Sequence, residues 1–362
     1  MRGHPGATVA LALAGLLLSG CAGGQQREWK VAADPHAAAE DIIDAGHATG
    51  IATSPRQMVV TWEVEPEDDE GPYQGAWRLY DRDKGAVADG SFGTVREASA
   101  RIEVMALRDG FLLTDYKKHA LHFLSQGGKL SPAYLPEAKR GTPLAGGMLM
   151  QSQSPGPLTW QVVLPDKRQV VPLTDLPTKD VQGIELTSDG TVWVLLPWKQ
   201  GGPFRIAHAR DGKAPWTTET VPLPKGSGTS GEGISAVGDR LFVVATHAKG
   251  ERMPVDVILA READEDDWEK IDATGIADDL TVEPRIAVLH KGRLAAIANG
   301  EGAWVERPDG DGWIPLKLPK AAKTAQTGVS FEGKWLWASQ ELSGNSLHYS
   351  FDGGNSWREF ER

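Results

Sequence analysis

Along most of the chain, apolar stretches alternate with short polar turns in a repeating order. An apolar strand runs into a tight turn, and a second, more apolar strand follows. The clearest copy is Ile184 to Leu196, where Thr187-Ser188-Asp189-Gly190 separates Ile184-Glu185-Leu186 from Val192-Trp193-Val194-Leu195-Leu196. Further copies cover 234–245, 286–297, 329–338, 104–113 and 50–60, with a weaker one at 143–150. Each is followed by a second, more polar hairpin. These run through Trp77-Asp83-Val87, Leu121-Gly127-Tyr134, Trp160-Asp166-Val171, Phe204-Asp211-Trp216, Val257-Asp264-Trp268, Trp304-Asp309-Trp313 and Leu347-Asp352-Trp357. Alternating apolar and polar positions between turn residues predict antiparallel hairpins.

Two hairpins per unit make four strands, and the units of about 40–50 residues have the size of propeller blades. The second strand of each unit is apolar on both faces, as a strand packed between neighbouring sheets must be. The pattern therefore predicts an all-β fold, a seven-bladed β-propeller over residues 47–362. A six-bladed ring, with the 143–150 copy absorbed elsewhere, is the alternative. The first unit carries its own inner strand at 50–53 and the last ends on its outer strand, so closure without strand exchange is expected.

The start of the chain has a different pattern. Met1-Arg2 is basic, and Val9 to Leu18 is apolar, too short for the roughly 20 residues of a membrane-spanning helix. A signal-peptide core has these proportions. Leu18-Ser19-Gly20-Cys21 resembles a bacterial lipobox, which implies cleavage before Cys21 and acylation of its thiol. Cys21 is the single cysteine in 362 residues, so lipidation would leave no thiol for a disulfide. Residues 1–20 are read as a lipoprotein signal peptide and 21–46 as a flexible tether. The bilayer is then a partner through acylated, diacylglycerol- and palmitate-bearing Cys21. The expected location is the outer face of the bacterial cell membrane, or the outer membrane if the envelope is Gram-negative.

Near the other end stands Ser350-Phe351-Asp352-Gly353-Gly354-Asn355-Ser356-Trp357. Asp352 can turn its carboxylate onto backbone N–H groups, Gly354 admits a left-handed backbone, and Trp357 offers a large apolar face. Ser350, Asp352, Gly354, Ser356 and Trp357 resemble the Asp-box, or BNR repeat, of sialidase-like propellers. In that family the box lies on an outer hairpin away from the ligand, so the resemblance implies fold and a structural role. Tryptophans also stand at 216, 268 and 313, at the matching point of three preceding hairpins.

A net charge of −11 argues against a nucleic-acid partner, which needs a basic footprint. The resemblance raises sialidase or other glycosidase chemistry. Phe204-Arg205-Ile206-Ala207 departs from the family's Arg-Ile-Pro motif at Ala207 and lies on the wrong strand. His119 and His122 are spaced to point to opposite faces of a strand, and the acidic runs 65–71 and 262–267 lack the ordered ligands of a calcium loop. No catalytic set, metal or cofactor is expected.

A propeller presents ligands to the loops entering its inner strands and to those between second and third strands. The candidates there are Arg101, Glu232, Glu283 and Arg285, and Trp198, His247, Asn299 and Gln340. Arg101, Glu283 and Arg285 are the foremost, because charge at the start of a buried strand is unusual. The reading is an envelope-anchored, monomeric, non-catalytic propeller that binds an unknown protein or glycan. The alternatives are a glycoside hydrolase on the same scaffold, or an assembly and stability factor for an envelope complex.

Overall fold

The computed structural model describes residues 26–67, 72–96, 102–107, 109–115, 120–152, 159–197, 202–224, 231–247, 249–298, 300–319, 325–329, 335–340 and 347–360. The fold class is the expected one: all-β, a seven-bladed β-propeller made of seven small antiparallel sheets. The chain divides into two compact units, one of residues 1–52 and 56–133, the other of 53–55 and 134–360.

The first unit holds two blades. Blade 1 is β1 (His47–Thr53), β2 (Gln57–Val64), β3 (Pro72–Asp81) and β4 (Gly85–Arg96); blade 2 is β5 (Ile102–Leu107), β6 (Gly110–Asp115), β7 (Ala120–Ser125) and β8 (Leu130–Ala133). Val59, Trp77, Leu79, Phe111, Leu113 and Leu124 form the core between them. Part of the stretch expected as a tether is helical: α1 spans 26–33 and α2 spans Ala39–Ala45. The reason is burial. Ile42 and Ile43 of α2 are fully inaccessible, and α2 packs on β2, β3 and β4. Glu28 of α1 accepts the Glu65 N–H at 3.1 Å, and Gln74 donates to the Ala32 carbonyl at 3.3 Å.

The second unit holds five blades. Blade 3 is β9 (Met148–Ser152), β10 (Thr159–Leu164) and β11 (Gln169–Pro172); blade 4 is β12 (Gly183–Leu186), β13 (Thr191–Leu195), β14 (Arg205–Arg210) and β15 (Thr217–Thr220). Blade 5 is β16 (Gly231–Val237), β17 (Arg240–Thr246), β18 (Val255–Glu262) and β19 (Glu269–Ile271). Blade 6 is β20 (Arg285–Val288), β21 (Leu294–Ala298), β22 (Gly302–Glu306) and β23 (Trp313–Pro315), and blade 7 is β24 (Ala325–Val329), β25 (Leu336–Gln340), β26 (Leu347–Ser350) and β27 (Arg358–Glu359). The weak copy at 143–150 explains itself here. Its first half pairs in no strand; the segment ahead of it bridges β11 in parallel, with Ala138 N–H bonding the Val170 carbonyl and Val170 N–H the Pro136 carbonyl.

Within this unit the cores lie between consecutive blades. Phe242, Val244 and Ile258 of blade 5 pack against Ile286, Leu294, Trp304 and Trp313 of blade 6. The inner-hairpin turns also bond in sequence: Gly146 N–H reaches Ser188 O at 2.9 Å, and Ser188 N–H reaches Gly238 O at 2.7 Å.

Three of the four tryptophans recognised in sequence share one job. The indole N–H groups of Trp216, Trp313 and Trp357 donate to the carbonyls of Asp175 at 2.7 Å, Asp272 at 2.6 Å and Lys317 at 2.8 Å respectively. Each acceptor follows the outer strand of the preceding blade, so each indole bolts one blade to the one before.

Candidate functional site

The inner strands of blades 4, 5 and 6 run side by side, each with one edge facing away from its own sheet. Their free backbone N–H groups must be satisfied by something other than a ladder. Side chains of the preceding blade do this. Ser235 Oγ of β16 accepts the Ile286 N–H of β20 at 3.3 Å, and the carboxylate of Glu185 on β12 faces the Ala236 N–H of β16. Glu185 and Ser235 hold the same position in their copies of the repeat, directly after Ile184 and Ile234.

Burial dominates the electrostatics of Glu185 and pushes its carboxyl up to about 7; the charge of Arg285 and the Ala236 N–H pull in the opposite direction and lose. Burial likewise raises the carboxyl of Glu283, which is half-buried. It lies against β16 of blade 5, where a Cβ on Gly233 would make an ordinary contact with its Oε2 at 3.4 Å. Pro284 is buried while Arg285, first residue of β20, is exposed. Two carboxyls at the inner strands are thus biased toward the protonated form, and one of them, Glu185, lies within the field of the solvent-facing Arg285 guanidinium. Such a set can donate and accept hydrogen bonds and can hold a negative group on Arg285.

Of the residues expected at an inner-strand entrance, Arg285 is brought to Glu185, and Glu283 lies beside Gly233 of β16. His247 lies on the β17–β18 loop, where its Nδ1 pairs with Asp256 Oδ1. Glu232 stands on β16 and Gln340 on β25, with side chains outside the described residues; Arg101, Trp198, Asn299 and Cys21 also lie outside them. Glu185 was overlooked in sequence, although it is a lone charge inside an otherwise apolar inner strand. Among the described residues no three His, Cys, Asp or Glu side chains gather as a metal-binding group.

The wild-type domain should gain stability as the pH falls from about 7 toward 4.5. The folded form holds a proton on Glu185 that the unfolded chain, with an ordinary carboxyl near 4.5, releases over this window. Above about 7 both forms are ionised, and the folded one carries a penalty of up to ~3 kcal/mol. Glu185→Gln should remove that penalty and flatten this part of the profile. Urea midpoints from pH 4.5 to 8 check it; a variant profile parallel to wild type would refute the assignment.

The 350–357 turn has its own chemistry, distant from this cluster in the chain. Asp352 Oδ1 accepts from Ser350 Oγ at 2.7 Å and from Ser356 N–H at 2.9 Å, and Oδ2 from Ser356 Oγ at 2.6 Å. The buried hydroxyl of Ser350 in turn accepts the Gly354 N–H at 2.9 Å, with Gly354 at φ 87°. Hydrogen bonds from Ser356 bring the Asp352 carboxyl down to about 2. Its stabilising contribution is therefore complete above the ordinary carboxylate range and lost as the pH falls toward 2. Blade 4 repeats the device on its inner hairpin: Asp189 Oδ1 accepts from Thr187 Oγ1 at 2.7 Å and Thr191 N–H at 2.9 Å, and Oδ2 from Thr191 Oγ1 at 2.8 Å.

No protein-family model matches the chain, and no curated protein matches it. Solved structures resemble it. Puromycin hydrolase is 13% identical over 92% of this chain and 55% of its own, with a TM-score of 0.51. The β-propeller domain of the Trilobed protease from Pyrococcus furiosus is 11% identical over 88% of this chain and 98% of its own, with a TM-score of 0.50. A streptogramin B lyase is 15% identical over 81% and 90%, with a TM-score of 0.44. The chain spans about half the length of puromycin hydrolase. At such identities the likeness concerns fold alone, and the fold in question is the β-propeller.

Proposed function

We propose that this chain is a lipid-anchored, non-catalytic propeller of the Asp-box type that binds a protein or glycan partner in the bacterial envelope. The observation that carries the binding role is the inner-strand cluster of Glu185, Glu283 and exposed Arg285. It offers hydrogen-bonding carboxyls and an exposed guanidinium at the inner strands, which suits recognition of a polar ligand. The anchoring role rests on Leu18-Ser19-Gly20-Cys21, and the Asp-box assignment on the five side chains and backbone bonds of the 350–357 turn.

Arg285→Ala is expected to weaken binding to envelope glycans, or to proteins of an envelope extract, by about tenfold, one charge-assisted contact. The same change should alter stability by under ~1 kcal/mol, because the side chain is exposed. Pull-downs with wild type and variant, paired with urea melts, separate the two. Unchanged capture with a large loss of stability would make Arg285 a structural residue.

For the anchor, Cys21→Ala should move the protein from the detergent-rich phase into the aqueous phase. Equal partitioning of the two proteins would end the lipidation reading.

Glu185 favours a second reading, a glycoside hydrolase or lyase on this scaffold, since a carboxyl near 7 suits a general acid. Turnover of aryl glycosides that disappears in Glu185→Gln would establish it.

A further inference from the structure

A cleft of about 210 Å³ lies between the outer edge of blade 6 and the Asp-box turn of blade 7. Its lining is Arg293, Val305, Ile314, Pro315, Leu316 and Lys317, closed by the 353–355 turn with Asn355. Two features set it apart. It holds two cations and no carboxylate, in a chain whose net charge is −11. A larger cleft of about 590 Å³ elsewhere mixes Lys139, Arg140 and Lys213 with Glu137, Asp175 and Asp211 and favours neither sign.

The cations are also uncommitted. Arg293 donates from Nη2 to the Glu306 carbonyl at 3.0 Å, a neutral acceptor, and its buried Nε has no hydrogen-bond partner among the described residues. Neither Arg293 nor Lys317 makes an ion pair among the described residues. A half-buried guanidinium without a counter-charge is costly, and an anion in the cleft would relieve it.

The other wall is apolar. Val305 is buried, Leu316 is half-buried against Gly354, and Ile314 is 41% exposed, one of the few large exposed hydrophobics of the described chain. Asn355 spends its amide N–H on the Asp352 carbonyl at 2.6 Å, which leaves its Oδ1 as an acceptor. Pro315 offers no N–H to the edge of β23, and the Trp313 N–H is held by the Thr274 carbonyl at 2.7 Å. An added strand therefore gains little here, and side-chain recognition of a small molecule or chain end is the remaining use.

We propose that this cleft binds a carboxylate bearing an adjoining apolar group, with the carboxylate on Arg293 and Lys317 and the apolar group on Ile314, Pro315 and Leu316. The site is independent of the inner-strand cluster. Two sources share this chemistry, the carboxyl end of a peptide and a free branched-chain acid, and Asn355 Oδ1 would accept the terminal amide N–H of the former.

The test titrates the full-length chain with N-acetyl-leucine, N-acetyl-leucinamide, isovalerate and inorganic phosphate, read by calorimetry and by methyl NMR shifts at Ile314 and Leu316. N-acetyl-leucine should bind at least about tenfold more tightly than its amide, the scale of one lost charge-assisted contact. Lys317→Ala, at an exposed position that leaves the fold intact, should weaken it several-fold, and Arg293→Lys should do so without emptying the core. Isovalerate binding as tightly as N-acetyl-leucine assigns the site to free acids; weaker binding assigns it to peptide ends; both support the cleft. Equal binding of the amide, equal binding of phosphate, no binding of either acid, or indifference to both substitutions overturns it.

Discussion

Arg261→Ala is expected to cost about 3–5 kcal/mol, the loss that follows when one partner of a buried pair is removed. Arg261 lies on β18 of blade 5 and is 4% exposed. Its Nη1 contacts both carboxylate oxygens of Glu219 on blade 4 at 2.6 Å. The guanidinium also lies over two indoles, 5.2 Å from the ring of Trp193 and 5.6 Å from that of Trp268. Truncation removes the ion pair and the stacking together, and leaves Glu219 half-buried without its cation. Arg261→Met should recover part of the packing, and Arg261→Met with Glu219→Gln should recover more, because the stranded charge is then gone. The non-additivity of that double change measures the coupling.

A second readout follows from His208, stacked on Trp193 with centroids 4.5 Å apart. Burial holds its pKa below the ordinary value; Glu219 raises it and Arg261 lowers it. Removing the Arg261 charge should therefore raise the His208 pKa, visible in an NMR titration. Urea midpoints at constant slope give the stability. A cost under about 1 kcal/mol would mean that the pair is solvated, as surface pairs are.

Trp313→Ala is expected to be the other large loss, also about 3–5 kcal/mol. The ring is 1% exposed in the core between blades 5 and 6. Its receptor is the turn after β19: the indole reaches the Asp272 carbonyl at 2.6 Å, and the Trp313 N–H the Thr274 carbonyl at 2.7 Å. Gly275, at φ 97°, cannot be another residue, since a Cβ would stand 2.2 Å from the Trp313 carbonyl oxygen. Trp216, Trp268 and Trp357 are only half-buried, so their truncation should cost less, about 1–2 kcal/mol. The equal effect that equal sequence positions imply for Trp216, Trp268 and Trp313 is thus not expected. Trp313→Phe keeps the ring in the core and loses the indole bond, at about 1 kcal/mol. Equal losses at 216, 313 and 357 would show that the indole bond, not burial, sets the scale.

Much of this architecture was legible before any coordinates. The turn Thr187-Ser188-Asp189-Gly190 and the strands beside it need only local chemistry, and the described strands β12 and β13 sit where that chemistry puts them. The repeat multiplied the signal, because each copy independently marks a hairpin. Where a copy was weak, at 143–150, its first half forms no strand, and the Leu144 N–H is held by the Asp211 carboxylate of blade 4 at 2.8 Å rather than by a ladder. The stretch Ala39–Ala45 looked like a spacer because two isoleucines are a faint pattern, yet Ile42 and Ile43 bury completely against a sheet that begins downstream.

The site was legible only in part. Glu283 and Arg285 announced themselves as charges at a strand entrance. Glu185 feels the charge of Arg285 from two blades away, and Arg261 meets Glu219 across 42 residues of chain. The sequence by itself determined the alternation and the turns, because hairpins are made by near neighbours and the side-chain period along a strand is two, while the choice of seven blades over six came from the seven sheets of the structure. Only the tertiary structure decided which edges face which. Packing brings the inner strands of consecutive blades together, and there Glu185 and Glu283 are half-buried while Arg285 is left in solvent; on the outer hairpins one tryptophan of the four, Trp313, is sealed from water.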